Sequence, residues 1–324
     1  MIAKPLSTMR FASPFGSIAV VASAALLLAS CGDRVSSAQV PSQGAMFDHG
    51  GQVLAQPKSS VVTGETLYVS SPNANTVTEY SLPSGTIAGT LTASNGISDP
   101  EGMAFAKGHL YIANDTEALI FPRGKTDPSL TLQEPGPSYL AYDIVVDASG
   151  TVYLANLVTA YDDPGDVLVY KKGQTTYDYS LNFPCCVAVE GDAIDSSNYL
   201  HVSYASSHSS RIMEYAPGSQ KGKDTHWHVH DPTGMAFDEK GNLVVVDGGT
   251  QIDVFTHGDT EPVRTFGKLS SGQFLAFDKS HMYLYVADSG ANQVDEFDYA
   301  NGVVVKTFPL AGASGVAIDP PASP

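Results

Sequence analysis

Six short segments of this chain repeat one pattern, and no other feature restricts its folding as strongly. They are residues 67–70, 110–113, 152–155, 200–203, 243–246 and 284–287, most of the form Leu-Tyr-Val-Ala. They recur at about 41 to 48 residues, the period of propellers and solenoids. An apolar stretch precedes five of them, at 102–105, 143–146, 186–189, 234–237 and 274–277. An aromatic follows each copy: Tyr80, Phe121, Tyr170, Tyr215, Phe255 and Phe297. A weaker stretch, such as 86–91 or 303–308, completes the unit. These segments are short, rich in β-branched and aromatic residues, and bounded by Gly, Pro, Asn and Asp, which is strand and turn chemistry. Four short strands per repeat make one propeller blade.

The ends of the array predict how it closes. The copy at Leu67 has no apolar stretch in front of it, while Gly315-Val316-Ala317-Ile318-Asp319 matches that column with no partner behind it. A ring joins the two and removes the open sheet edges. A linear solenoid would end in a capping repeat with a polar outer face. The expected fold is therefore all-β: a six-bladed β-propeller over residues 61–319 with four-stranded blades, closed by the C-terminal strand joining the N-terminal blade.

The run Leu284-Tyr285-Val286-Ala287-Asp288-Ser289-Gly290-Ala291-Asn292-Gln293-Val294-Asp295-Glu296-Phe297 resembles an NHL repeat, and 243–255 and 67–80 are weaker versions. The resemblance covers nearly all of 61–319 and implies a propeller distantly similar to sugar-lactonase and strictosidine-synthase-like enzymes, amidating lyases and binding platforms. That fold hosts many activities, so it names no function. Pro100-Glu101-Gly102 resembles the motif that supplies a metal-ligating glutamate in lactonase-like propellers. At the corresponding places of other blades this chain has Pro232-Thr233-Gly234, Ser314-Gly315 and Pro184-Cys185.

The N-terminus reads as an export signal. Lys4 and Arg10 precede the apolar run 18–28, which leads into Leu28-Ala29-Ser30-Cys31. A basic start, about eleven apolar residues and small residues before a cut site make a secretory signal. The final tetrapeptide resembles a bacterial lipobox, which implies lipidation of Cys31. Residues 1–30 are thus expected as a lipoprotein signal peptide and 31–60, rich in Ser, Gln, Gly, Pro and Ala, as a flexible tether. Residues 320–324 are expected as a disordered tail. The implied location is the bacterial cell envelope, with the protein exported and lipid-anchored at the outer membrane, in the periplasm or on the cell surface. The membrane is then a partner through the acyl chains.

The formal net charge is −17, with no Lys/Arg cluster, which argues against a nucleic-acid partner because phosphate neutralisation dominates that affinity. A protein or small-molecule ligand and a monomeric state are the remaining expectations. Besides Cys31 the chain has only the adjacent pair Cys185 and Cys186. Adjacent Cα atoms lie about 3.8 Å apart, below the ~4.4 Å lower limit usual for a bridge. Three states stay open: a strained vicinal disulfide, two reduced thiols with one packed in an inner strand, or a thiolate site for a soft metal.

Strand direction places the site. Residues just before each first strand and just after each second strand share one mouth of the central channel, and binding at such a mouth is common. They include Glu101, Asn114, Asp115, Tyr139, Asn156, Cys185, Tyr204, Thr233, Asp247, Gln273, Asp288 and Ser314, with His230 near the entry to the next blade. Repeated Asp and Asn at strand ends also shape turns. Against that stands a divalent cation such as Ca²⁺, which takes six to eight oxygens; Glu101, Asn114, Asn156 and Asp247 could supply part of its shell. His226, His228 and His230 alternate along a segment that reads as an outermost strand, where all three would share one face. The acidic stretch Asp162-Asp163-Pro164-Gly165-Asp166 reads as a solvated turn. No Gly-x-Ser-x-Gly elbow, phosphate loop or Cys-x-x-Cys is present. The chain reads as an envelope-anchored binding or scaffold propeller; the competing reading is a metal-assisted hydrolase or lyase at the channel mouth.

Overall fold

In the computed structural model the described residues are 64–323, apart from 137–138, 159–164, 184–187 and 206–208. The expected signal peptide, Cys31, all of the tether and the Cys185–Cys186 pair lie outside them. The chain forms six four-stranded antiparallel sheets. The first blade contains β1 (Glu65–Ser71), β2 (Thr76–Leu82) and β3 (Thr86–Leu91), with β24 (Val316–Asp319) as its innermost strand. The second holds β4 (Pro100–Ala106), β5 (His109–Asn114), β6 (Glu117–Pro122) and β7 (Leu130–Gln133). The third holds β8 (Tyr139–Val146), β9 (Val152–Val158), β10 (Asp166–Tyr170) and β11 (Tyr179–Asn182). The fourth holds β12 (Ala188–Ile194), β13 (Leu200–Ala205), β14 (Ser210–Tyr215) and β15 (Lys223–Asp224). The fifth holds β16 (Pro232–Phe237), β17 (Leu243–Asp247), β18 (Gln251–Phe255) and β19 (Arg264–Phe266). The sixth holds β20 (Gly272–Phe277), β21 (Tyr283–Asp288), β22 (Gln293–Asp298) and β23 (Val303–Pro309).

The repeat dictates local structure through its aspartates. Between the first and second strands of the third to sixth blades, Asp147, Asp195, Asp238 and Asp278 each accept backbone N–H groups two and four or five residues ahead. Such a carboxylate replaces the missing backbone partners of a tight turn. The second strands then run through the blades as buried apolar segments. Their side chains fill six clusters, one in each gap between neighbouring blades, from Tyr68 and Ile112 between the first and second to Leu67 and Tyr285 between the sixth and first.

Each innermost strand packs on its two neighbours around the ring, and β24 packs on both β4 and β20. The closure is hydrogen-bonded. Residues 66–69 of β1 pair with 316–319 of β24. Gly315 N–H donates to Ser70 Oγ at 2.6 Å, and that hydroxyl donates to the Glu101 carbonyl of the next blade at 2.8 Å. Asp319 is further tied to Arg123 of the second blade. Residues 320–323 differ from the loose tail expected: Pro321, Ala322 and Ser323 line the lower end of the channel, and the Ser323 carbonyl meets His281 Nε2 at 2.9 Å.

Glycine sets how closely the inner strands approach. A Cβ on Gly191 would lie 2.1 Å from the Thr233 carbonyl oxygen, and one on Gly315 2.1 Å from that of Glu101. Both obstacles are backbone of the next blade, so neither can rotate away. Gly191→Ala is expected to destabilise the domain by about 1–3 kcal/mol or more, the scale of overpacking. Gly136→Ala, which meets no neighbour, should stay within about 0.5 kcal/mol of the parent. Urea midpoints compare the two; an equal effect would mean the strands are not in contact at the glycine ring.

Candidate functional site

The first strands align residue by residue through their pairing with the second strands. One column, just before the glycine position, holds Glu101, Tyr142, Glu190, Thr233, Gln273 and Ser314. All but Ser314 are half-buried between buried neighbours, and together they rim the upper mouth of the channel. Four of the six were read from the sequence. Two differ: Tyr142 takes the place expected for Tyr139, and Glu190 the place expected for Cys185. Tyr139 instead begins β8, three residues earlier.

The mouth therefore carries two glutamates at equivalent ring positions, either side of Tyr142. Glu101 Oε2 accepts the Ser314 hydroxyl at 2.5 Å. Burial pushes Glu101 up to about 7, with the charge of Asp99 adding to the rise and the Ser314 hydroxyl offsetting part of it. Burial pushes Glu190 to about 7 as well, helped by Asp231. Its Oε2 is shut from solvent and has no partner among the described residues. The Tyr142 hydroxyl is held far above its usual range by burial, then by the charges of Glu101 and Glu190. Carboxylates at near-neutral pKa can give or take a proton at physiological pH.

Below the mouth the channel narrows. The next column is Gly102, Asp143, Gly191, Gly234, Phe274 and Gly315, so side chains project there from two opposed blades, the third and the sixth. Tyr142 packs against Phe274 with ring centroids 5.3 Å apart, so the aromatic pair bridges the channel. Asp143 accepts N–H groups from Ile144 at 2.8 Å and from Asp192 of the next blade at 3.0 Å. Asp192 occupies a position that is Met, Ile, Leu or Val in the other five blades; it is 1% exposed, and its carboxyl meets the Asp143 carboxyl rather than a donor of good geometry among the described residues. Burial pushes Asp143 to about 6, and burial followed by the Asp143 charge pushes Asp192 well above the carboxylate range. Beneath this constriction lies an apolar cavity of about 210 Å³ lined by Met103, Phe105, Met235, Phe237, Phe277 and Ile318 among others.

The strand-end residues divide in role. Asn114 Oδ1 accepts the Ser98 N–H at 2.8 Å and its Nδ2 donates to Gly96 O at 3.2 Å. Asp247 Oδ1 accepts the His230 N–H at 2.7 Å, and burial raises Asp247 to about 6. Asp288 accepts N–H groups of Ser270, Ser271 and Ala291. These three pin the loops of their own blades. Asn156 is the exception: Nδ2 donates to Asp166 Oδ1 at 2.9 Å, and Oδ1 has no hydrogen-bond partner among the described residues. Asn114 and Asp247 thus spend an oxygen on their own loops, and no group of three or more His, Cys, Asp or Glu is placed to hold a metal among the described residues.

Other candidates sit elsewhere. Tyr204 is buried between the third and fourth blades against Phe183, 5.5 Å between ring centroids. The histidines are not on a strand: the outermost strand of that blade is β15, and residues 225–231 connect it to β16. His226, at a φ of 61°, lies near Asp224, His228 Nδ1 is 2.6 Å from Glu261, and His230 bonds through its backbone. They have separate neighbours because buried Trp227 anchors the segment from between them. Asp166 is buried rather than part of a solvated turn, because it pairs directly with Asn156 in the β9–β10 ladder.

No family model and no curated protein matches this chain. Solved structures do. A protein of unknown function from Bacteroides caccae is 14% identical with a TM-score of 0.62, covering 79% of this chain and 98% of that one. A chain of a nidogen/laminin complex is 17% identical with a TM-score of 0.63 over the same shares, 79% and 98%. A chain of Kuenenia stuttgartiensis hydrazine synthase is 13% identical, TM-score 0.53, covering 82% and 93%. At such identities the likeness shows the fold alone, a six-bladed β-propeller.

The mouth glutamates set a pH dependence. Their folded values near 7 lie above the ~4.3 of an unfolded glutamate, so folding takes up protons in between. The stability this contributes is fully present below about pH 4 and is lost as pH rises through about 7. Melting temperature should fall from about pH 5 to about pH 8. Glu101→Gln/Glu190→Gln should remove a large part of that fall, since neither glutamine titrates between the folded and unfolded values. An unchanged slope in the double variant would show that neither group titrates in this range.

Proposed function

We propose that this chain is an envelope-anchored binding or scaffold propeller that takes its ligand at the upper channel mouth. The observation that carries the reading is the column Glu101, Tyr142, Glu190, Thr233, Gln273 and Ser314. In a repeat whose neighbouring positions are mostly Gly, Ala and apolar residues, this one column is polar, differs in every blade but two, and opens outward. An aromatic bridge closes the channel beneath it, so the mouth is a shallow cup with convergent donors and acceptors. The export signal and Cys31 would put that cup on a membrane surface, with a protein or small molecule as partner and the propeller as a monomer.

A second reading is a metal-assisted hydrolase or lyase, favoured by the two near-neutral glutamates beside Tyr142. It differs in one requirement: an ion or substrate must use Glu101 as a charged or proton-transferring group. The Pro100-Glu101-Gly102 resemblance supports it as far as that residue alone.

Two measurements test the proposal. Cys31→Ala should leave the protein unprocessed or soluble, because acyl chains are the strong membrane affinity in the scheme; retention on membranes after high-salt washing would remove the anchor. For the cup, compounds and peptides that raise the melting temperature of wild-type protein should lose about tenfold or more in affinity on Tyr142→Ala or Glu190→Gln, the scale of one lost charged hydrogen bond. Ligands that bind both variants unchanged would place the binding surface elsewhere. Turnover of lactone esters that depends on added Ca²⁺ and disappears in Glu101→Gln would favour the second reading.

A further inference from the structure

A second group of oxygens lies on the rim between the second and third blades, away from the mouth column. Glu134 directly follows β7, Asn156 lies in β9, and Asp166 opens β10 directly opposite Asn156. Asn156 is 0% exposed and Asp166 is buried. The Asn156 amide nitrogen holds Asp166 Oδ1 at 2.9 Å. Three oxygens there are closed off from solvent and have no hydrogen bond of good geometry among the described residues, Glu134 Oε1, Glu134 Oε2 and Asn156 Oδ1; the Asn156 amide is near enough to Glu134 to lower its pKa, a weak contact that offsets little of the rise from burial. Neither carboxylate belongs to an ion pair among the described residues.

This is not what the repeat does elsewhere. The counterparts of Asn156 spend their oxygens on backbone N–H groups of their own loops. The residues opposite them in the second, fifth and sixth blades are Glu117, Gln251 and Gln293, all half-buried. In the third blade alone among these the position is a buried aspartate, and a glutamate from the preceding blade is brought to it. Burying two carboxylates beside one amide, whose nitrogen is the donor given to Asp166 and whose oxygen has none, is costly unless a cation meets them.

We propose that Glu134, Asn156 and Asp166 form a site for a divalent, oxygen-preferring cation of the Ca²⁺ class. Two carboxylates match a charge of +2, and the donors are all hard oxygens. Rotation of the Asn156 amide exchanges Nδ2 for Oδ1 and turns the unpartnered oxygen toward the carboxylates. Three side chains supply fewer than the six to eight oxygens that Ca²⁺ takes, so water completes the shell, and the affinity falls at the weak end, about 10⁻⁴–10⁻³ M, suited to an extracellular site. The ion would fasten the end of β7 in one blade to the β9–β10 hairpin of the next.

Terbium luminescence tests this, since Tyr170 lies beside the site: its hydroxyl donates to the Gln133 carbonyl at 2.9 Å, and it feels the charges of Glu134 and Asp166. Wild-type protein should show saturable tyrosine-sensitised Tb³⁺ emission that Ca²⁺ displaces. Millimolar Ca²⁺ should also raise its melting temperature beyond NaCl of equal ionic strength. Glu134→Gln and Asp166→Asn keep the side-chain volumes and should each lose emission and thermal shift at least tenfold in apparent affinity. The proposal is overturned if wild-type protein gives no saturable emission, or if the response survives both substitutions. A response lost in Glu101→Gln and retained in Glu134→Gln would put the ion at the mouth and overturn it as well.

Discussion

Everything in this molecule depends on how closely six innermost strands can approach around one axis. The limit is steric. At Gly102, Gly191, Gly234 and Gly315 a side chain would run into the backbone of the following blade. The Ser70 hydroxyl exploits the same proximity at the seam, accepting from Gly315 N–H and donating to the Glu101 carbonyl. One serine thereby joins the first strand of the array, its last strand and the next blade. In this arrangement a functional side chain at the mouth cannot be moved independently of the closure: the residue that presents the Glu101 carboxylate also provides the carbonyl on which the ring is locked.

The architecture was legible in the sequence because the signal was redundant. Each blade repeats its apolar second strand, and the unmatched ends at Leu67 and Gly315 declare the closure. The mouth was less legible, for a physical reason. Apolar patterning finds inner strands where they look like Gly-Met-Ala-Phe, so Glu101, Thr233 and Gln273 fell into place. In the fourth blade the strand reads Ala-Val-Glu-Gly-Asp-Ala-Ile, with carboxylates where the pattern expects apolar or neutral residues. The neighbouring apolar run 186–189 is the stronger pattern, and it shifts the register and hides Glu190. A signal was available: Glu190-Gly191 copies Glu101-Gly102. In the third blade, Tyr142-Asp143 replaces the glycine cue altogether. Asp166 was misread because adjacent acids suggest solvent, whereas the ladder with β9 carries it inward. Glu134 had no repeat signal, since it lies in a connection between blades.

The departures from the repeat are not scattered. Tyr142, Asp143, Glu190, Asp192, Glu134 and Asp166 all fall in the second to fourth blades or the connection between them, while the other mouth positions are neutral and act as donors: Thr233 to the Gln273 carbonyl of the next blade, Gln273 to Ser271, and Ser314 to Glu101. Each buried acid raises its own pKa by losing water, and the rises from burial at Glu134, to about 8, and Asp166, to about 6, match those at the mouth in kind. Unpaired buried carboxylates cost stability wherever they ionise. A ring tolerates such cost unevenly. The fifth, sixth and first blades carry well-packed clusters such as Val246, Leu275 and Phe297 or Leu67, Tyr285 and Phe308, and closure makes that packing hold the other half in place. An open sheet with the same acids would separate at the third and fourth blades first. In the closed ring each innermost strand is packed on both its neighbours, so the apolar half can support a polar half whose groups are held short of their preferred partners, which is the condition a binding surface requires.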